Sequence, residues 1–395
     1  MYWTKSRPWP ALIVGALLMV GDLQSLRAFP ATACVISTRT AATLLFPYFE
    51  VDLADSGGRT TLISIQHPRE GNALVHVVLW SDWGIPTAAF DLALKAHEVR
   101  TFNLRDLLTT GRAPLTRPAG SFPGCPAQVG GQFIAADLLE AAHTGQPVLG
   151  KCFSSPRADH DFATGYLTVD LVRRCSSNAT TPKTPGYFTG ANPIASNSNW
   201  IAGDFFLVDP GGNSAMGENA VHVQAYNGEF QNGDWTFYNR FVQRSGADQR
   251  QALASRWQGR AVIGGAFDGG TELLVWRDTD QPNPGPVNCG NNPPWYPLET
   301  VETQGWPESG APGVTWQHTN FFPLATQRVN VRAVLDPPFD FGSLAGSFAQ
   351  ADHPSQGWII WLASAESRYA VGQSGRMSES LVCHCEGRNC PGTPR

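Results

Sequence analysis

Between Arg59 and Leu108 hydrophobic and polar positions alternate with a period of two. Thr61, Ile63 and Ile65 fall on one side of a run whose other side carries Leu62, Ser64 and Gln66, as in a pleated strand with one face on a core. Ala73 to Trp80 is apolar on both sides, which predicts a strand covered on both faces. Phe90, Leu92 and Leu94 alternate with Asp91, Ala93 and Lys95. After a turn at His97-Glu98 the alternation resumes at Phe102 and Leu104. These four runs predict four strands of an antiparallel sandwich.

The same pattern extends in both directions. Thr43–Leu53 predicts a strand that Pro47 interrupts, placing it at an edge or a sheet crossover, because proline has no N–H for the ladder. Gly111–Pro126 is rich in Pro and Gly and marks a boundary. Phe133–His143 predicts a helix with Ile134, Leu138 and Ala142 on one face and Gly145 as its C-cap. Further strands are expected at Gly165–Val172, Asp204–Val208, Ala220–Tyr226, Trp235–Val242, Ala252–Arg256, Glu272–Trp276, Thr326–Val334, Gly357–Ala363 and Tyr369–Val371. Long loops are expected at about 176–199 and 281–316, with eight prolines between Gln281 and Gly313. The expected fold class is all-β: two antiparallel β-sandwich (Ig-like) units with long loops and one short helix. Residues 34–116 would form the N-terminal sandwich and 117–382 a second, larger one, followed by a Cys-rich tail at 383–395.

The first residues change the picture from fold to compartment. Lys5 and Arg7 precede a ten-residue apolar run, Ala11–Val20, too short to cross a bilayer as a helix. Ala31-Thr32-Ala33 supplies an A-x-A site, with cleavage after Ala28 as an alternative, so residues 1–33 read as a Sec-type signal peptide. No later apolar run reaches spanning length, so no transmembrane helix is expected and the protein is secreted or resides in the periplasm or cell envelope. Eight cysteines, Cys34, Cys125, Cys152, Cys175, Cys289, Cys383, Cys385 and Cys390, are then disulfide candidates with 105 possible pairings. Cys34 directly after A-T-A also reads as a lipidation site, but Ala31 replaces the favoured Leu and lipidation would leave an odd cysteine. Charged residues make up 15% and the net charge is −5, which leaves no electrostatic footprint for nucleic acid.

An internal echo links Thr60–Trp80 with Gly203–Tyr226: strand, X-Pro turn, Asn-Ala, then Val-His-Val around His76 and His222. Two copies of a sandwich hairpin, or two unrelated amphipathic strands around similar turns, both account for it. LLFPYFEVDL (Leu44–Leu53), VVLWSDWGIPT (Val77–Thr87), FNLRDLL (Phe102–Leu108), HTGQPV (His143–Val148), GYLTVDLV (Gly165–Val172) and GAFDGGTELLVWRD (Gly265–Asp278) resemble segments of a group of uncharacterised secreted bacterial proteins with no known activity. The resemblance covers most of the chain after residue 33 and implies export and a single evolutionary unit. It implies no chemistry, and the Cys-His-Cys tail does not share in it.

Candidate chemistry is sparse. Cys383-His384-Cys385 with Cys390 carries soft ligands, but it lacks the paired CxxC spacing of structural zinc sites, and export favours disulfides. His160 between Asp159 and Asp161, and Asp278 with Asp280 and Asn283, are oxygen-rich without the glycine and terminal Glu of an EF-hand. Nucleophile and phosphate-loop motifs are missing: Gly212–Gly217 is one residue too long for G-x-S-x-G, and Gly264–Gly270 opens no helix. Asp82, Glu98, Asp268, Glu272 and Asp340 are acidic and near strands, which is not enough to pair them for glycosidic cleavage. No catalytic residue, metal site or cofactor is therefore expected.

Aromatic residues remain. Trp80 and Trp83 flank Asp82, and Trp295, Tyr296 and Trp306 lie in the proline-rich stretch, where flat rings suit sugar faces or protein contacts. The bland alternative is that sandwich cores and proline loops bury such rings themselves. The expected function is an exported, non-enzymatic binding or surface-interaction protein contacting a glycan or a cell-surface protein through these rings. An extracellular glycan hydrolase with paired carboxylates and a purely structural secreted sandwich are the alternatives.

Overall fold

The computed structural model describes residues 39–118, 122–156, 162–226, 236–238, 248–265, 267, 269–281, 284–298, 300–319, 321–348, 355–365 and 369–373. The expected signal peptide at 1–33, Cys34 and the tail at 383–395 lie outside them. In chain order the described elements begin with β1 (Thr43–Asp52), β2 (Thr60–His67), β3 (Ala73–Ser81), β4 (Pro86–Leu94), β5 (Glu98–Asn103), α1 (Leu104–Thr110), β6 (Arg112–Thr116) and β7 (Val129–Gln132). They continue with α2 (Ala136–Thr144), β8 (Lys151–Cys152), β9 (Phe162–Val172), β10 (Ala202–Asp209), β11 (Ser214–Asn219), β12 (Val221–Val223), β13 (Arg256–Val262) and β14 (Gly270–Arg277). The last are β15 (Val287–Asn288), β16 (Thr300–Pro307), β17 (Val314–Thr319), β18 (Thr326–Asn330), α3 (Val331–Leu335), β19 (Phe341–Ser347), β20 (Gly357–Ala365) and β21 (Tyr369–Gln373). The all-β class is thus observed, with three short helices among the described residues in place of the expected one.

Four antiparallel sheets form two layered pairs. A five-stranded sheet in the order β12-β1-β9-β3-β4 faces a four-stranded sheet β11-β10-β2-β5, and a sheet β13-β19-β16-β17 faces β18-β14-β20-β21. Val75, Val77 and Leu79 of β3 share one core with Leu167 and Val169 of β9 and with Ile63, Ile65 and Phe205 of the facing sheet. Leu74, Val78 and Trp80 point the other way, into a second cluster with Tyr166, Tyr187, Phe237 and Trp276. Every residue of β3 is buried, as the continuous apolar run predicts. Each such aliphatic or aromatic side chain contributes roughly 1.5–3 kcal/mol by leaving water.

The boundary expected at 116/117 does not separate the sandwiches. β9 inserts between β1 and β3, and β10 pairs with β2 from Ala202↔Gln66 to Val208↔Thr60. The first sandwich is therefore built from both sides of residue 117: the buried backbone N–H and C=O groups of β3 need a strand along each edge, the nearby hairpin supplies β4, and β9 supplies the other. All described residues fall in a single compact unit.

Several local expectations are corrected. β1 is an inner strand: it pairs with β12 over Thr43–Leu45 and with β9 along its length, with a register shift between Phe46 and Phe49. Pro47 sits in that shift, where no ladder N–H is required, and its carbonyl accepts from Thr326 Oγ1 at 2.7 Å. Leu104 continues no strand. It opens α1, because Leu104, Leu107 and Leu108 all bury at helical spacing and Asn103 Oδ1 caps the Arg105 amide at 2.9 Å. The run Thr326–Val334 divides in the same way, into β18 and then α3 behind the Asn330 cap. The loop expected at 281–316 contains β15, β16 and the start of β17. The strand expected at Ala252–Arg256 begins instead at Arg256, and of the one expected at Trp235–Val242 only 236–238 are described.

The echoing hairpins are related only in part. β2 and β10 are neighbours, and β3 and β12 both belong to the five-stranded sheet. Yet Val75 and Val77 face the inner core while Val221 and Val223 face the outer cluster, so His76 and His222 point to opposite sides.

α2 forms within the expected segment but starts at Ala136 rather than Phe133, and it ends at Gly145, whose φ of 74° is the left-handed conformation a C-cap glycine tolerates. Its buried residues are Leu139, Ala142 and His143, a face shifted by about one residue from the expected Ile134/Leu138/Ala142. His143 lies against the Phe49 ring, with Nδ1 3.0 Å from the Thr164 carbonyl and Nε2 2.8 Å from Thr87 Oγ1. Burial pushes its pKa down to about 4, against a smaller upward push from the Thr164 hydrogen bond. The unfolded chain therefore takes up this proton first as pH falls from about 6.5. His143 thus contributes stability that is fully present above that value and lost toward pH 4, amounting to roughly 3 kcal/mol. Urea denaturation from pH 7 to pH 4 is expected to show a shallower loss of stability in His143→Gln than in the parent chain; parallel curves would exclude His143 as the cause.

Candidate functional site

The outer face of the five-stranded sheet is roofed by coil from 173–200 and 248–253, and the densest buried chemistry lies under that roof. Ser176, His76 and Asp91 are within hydrogen-bond reach of one another, the residue types of a nucleophile–base–acid chain. Their order is wrong for catalysis. A working triad places hydroxyl and carboxylate on opposite ring nitrogens, so that a proton crosses the ring. Here Ser176 Oγ is 3.0 Å and Asp91 Oδ1 2.7 Å from the same His76 Nδ1. His76 Nε2 donates instead to the Thr180 carbonyl at 2.9 Å, since a carbonyl oxygen only accepts. With the Ser176 amide on Asp91 Oδ2 at 2.8 Å, the group clamps the 176–180 loop onto the sheet.

Beside it lies a second polar knot. Asp170 of β9 accepts from Tyr187 Oη at 2.7 Å, Tyr238 Oη at 2.8 Å, Arg250 Nε at 3.2 Å and the Thr43 hydroxyl. Arg250 is wholly buried, stacks on the Phe188 ring at 4.9 Å, and donates to the Ser196 carbonyl at 3.0 Å. Burial lowers the pKa of Arg250, but Asp170 and Asp248 outweigh it and raise it above the ordinary value. Burial, then the Asp170 charge, pushes both tyrosines well above theirs. The ion pair is thus fixed inside the protein, satisfied on both sides and open to no substrate.

The sequence-predicted aromatics do not form one surface. Trp80 is stacked on Tyr166, 5.7 Å apart and 2° from parallel, and donates its Nε1–H to Thr168 Oγ1 at 2.9 Å. With Trp276, Phe237, Lys183 and Asp278 it lines a narrow cleft. Asp278 is held there by Gln356 Nε2 at 3.0 Å and the Asp280 amide at 3.0 Å. Trp83, Trp295 and Tyr296 instead form a satellite core with Ile85 and Cys152. Trp295 Nε1 donates to the Trp83 carbonyl at 3.2 Å, so proline-loop rings pack on the loop's own support. Trp306 is remote from both groups, on β16, and more than a third exposed (37%).

The acidic candidates are likewise scattered and engaged. Asp82 is buried with Ser155, whose amide donates to it at 3.0 Å. Glu98 pairs with Arg100, Glu272 with Arg328 at 2.5 Å and Asp340 with Arg332 at 3.2 Å. Asp268, the 159–161 group and Asn283 lie outside the described residues. Two disulfides are present, Cys125–Cys175 and Cys152–Cys289; the other four candidate cysteines lie outside the described residues.

Trp306 belongs to an arrangement that period-two hydrophobicity does not mark. Pairing registers place Arg260, Ser343 and Trp306 side by side across β13, β19 and β16. The next row on the same face is Gln258, Ala345 and Gln304, and the row after it begins with Arg256 and Ser347. Small side chains on the middle strand between long ones on both neighbours make a trough along β19. At strand spacing its walls stand about 10 Å apart, and seven residues of β19 give it a length of about 23 Å. Trp306 forms part of one wall, its ring lying across Gly313 where a Cβ would come within 2.6 Å of the indole. Phe341, 42% exposed, stands at one end. The opposite face of β13 carries Trp257 and Ala261 into the core, and Gly259 lets the Trp361 indole lie flat on it. The available signal was the alternation Arg256-Trp257-Gln258-Gly259-Arg260-Ala261, obscured because its outer members are long and polar and its inner ones include a glycine.

Compared with protein-family models, curated proteins and solved structures, the chain matches none of them. Among the described residues no helix is long and apolar enough to cross a membrane.

Two outcomes test the structural assignments. Asp170→Asn is expected to cost about 3–5 kcal/mol in urea denaturation, as breaking a buried pair does, against about 0.5 kcal/mol or less for the exposed Asp340→Asn. A serine-directed fluorophosphonate is expected to leave Ser176 unmodified by intact mass; an adduct there would show an activated hydroxyl.

Proposed function

We propose that this is an exported, non-enzymatic binding protein whose contact surface is the trough along β19, and whose ligand is a linear glycan. The trough carries the proposal. Its walls hold an exposed indole, guanidinium groups and amides, and its floor is Ser343, Ala345 and Ser347. On the face of a sheet the backbone N–H and C=O groups are already spent in the ladders, so an extended peptide finds no strand to pair with there. Recognition must come from side chains: a flat ring for a sugar face, amides and hydroxyls for its hydroxyl groups. The length-to-width ratio suits a polymer lying along the strand rather than a compact molecule.

Export is supported by the two disulfides, which form and persist in oxidising compartments, and by the basic-then-apolar N-terminal sequence. A non-enzymatic role is supported by the engagement of His76, Asp91, Asp82 and Asp170 in buried structural bonds. The chain beginning at Cys34, screened on immobilised polysaccharides, is expected to bind at least one of them. Trp306→Ala should weaken that binding about tenfold or more, as loss of an aromatic anchor does, with an unchanged melting curve. Leu149→Ala, at a residue 92% exposed elsewhere, should change neither. Binding that survives Trp306→Ala would remove the trough as the contact surface.

A further inference from the structure

We infer that the glycan read by this trough is acidic, with a sugar carboxylate seated against Arg260; the inference rests on the proposed glycan-binding role. Arg260 and Trp306 occupy one row across three strands, with only Ser343 between them. A sugar over Ser343 therefore meets an indole on one side and a guanidinium on the other. Arg260 is exposed, and among the described residues its guanidinium has no ion-pair or hydrogen-bond partner. That separates it from Arg59, Arg100, Arg328 and Arg332, each paired with a carboxylate. An arginine held on a rigid strand with its fork unused is charge-complementary to a carboxylate, which it grips through two parallel N–H···O bonds.

The surrounding charges favour the same residue. Arg256, four residues earlier on the same face, is also exposed and unpaired among the described residues, but it lies opposite Ser347 at the end of β19, whereas the row of Arg260 continues through Ser343 to Trp306. Asp340, just before β19, is bonded to Arg332. The net charge of −5 opposes general attraction of a polyanion, so selectivity must be local, over a distance comparable with the roughly 8 Å screening length at physiological salt. The neutral rows, Gln258–Ala345–Gln304 and the Ser343 hydroxyl, then serve the sugar hydroxyls on either side of the carboxylate.

The test compares each of three polyuronates (alginate, polygalacturonate and hyaluronan) with its own carboxyl-reduced, neutral form, which keeps the backbone linkages and removes the charge. The chain beginning at Cys34 is expected to bind at least one acidic polymer about tenfold more tightly than its reduced form at physiological salt. Arg260→Gln should erase that preference and leave affinity for the reduced polymer unchanged, whereas Trp306→Ala should weaken both. Trp306-dependent binding with no preference for the acidic form, or a preference that survives Arg260→Gln, would overturn the carboxylate assignment and leave the glycan-binding role standing. Failure to bind any of the six polymers, or any polysaccharide in the wider screen, would overturn both.

Discussion

A sheet whose central strands are apolar on both faces must be covered twice, and most of this structure follows from that requirement. β3 and β9 cannot leave either face in water. One cover is the facing sheet of β11, β10, β2 and β5. The other comes from coil, the 173–200 segment and the stretch around Arg250, with Trp276 of the second sandwich closing the cluster. Leu274 and Ile360 of the second sandwich also enter the first core, so the two layered bodies share apolar contacts rather than meeting across a linker.

A coil roof costs more than a sheet roof, because its backbone groups have no ladder to join. The buried polar side chains answer that need. Thr180 and Ser196 offer carbonyls to His76 and Arg250, and the Ser176 amide reaches Asp91. Residues that would be catalytic suspects in an open cleft thus act as fasteners between irregular chain and regular sheet. The aromatic rings of Tyr187, Phe188 and Tyr238 complete the seal by lying over the same charges.

The parts of the fold legible in the sequence were those where a single physical signal dominated. β2, β3, β4 and β9 followed from alternation or continuous apolarity, and α2 from its Gly145 cap. What escaped had competing signals. Leu104 fits period two with Phe102 and helical period with Leu107 and Leu108, and only the Asn103 cap decides between them. β19 has a glycine or a small residue at five of its seven positions, so no hydrophobicity pattern marks it, yet that smallness makes it a trough floor. Trp306 stands out in the sequence by its chemistry; Arg260 does not, because an arginine becomes conspicuous only when its neighbours across the sheet are known. Trp83, Trp295 and Tyr296 followed the packing alternative, burying one another.

The two disulfides interleave along the chain: Cys152 lies between Cys125 and Cys175, and its partner Cys289 lies beyond both. The β8–β15 ribbon runs beside the second bridge, with Cys152 opposite Val287. A nick in the polypeptide between Cys152 and Cys289 would therefore release nothing under oxidising conditions, and its halves would separate only on reduction. Nor can either sandwich be excised as a cassette, since each half-chain would leave with an unmatched thiol and an uncovered sheet. Inheritance and recombination would have to handle this polypeptide whole.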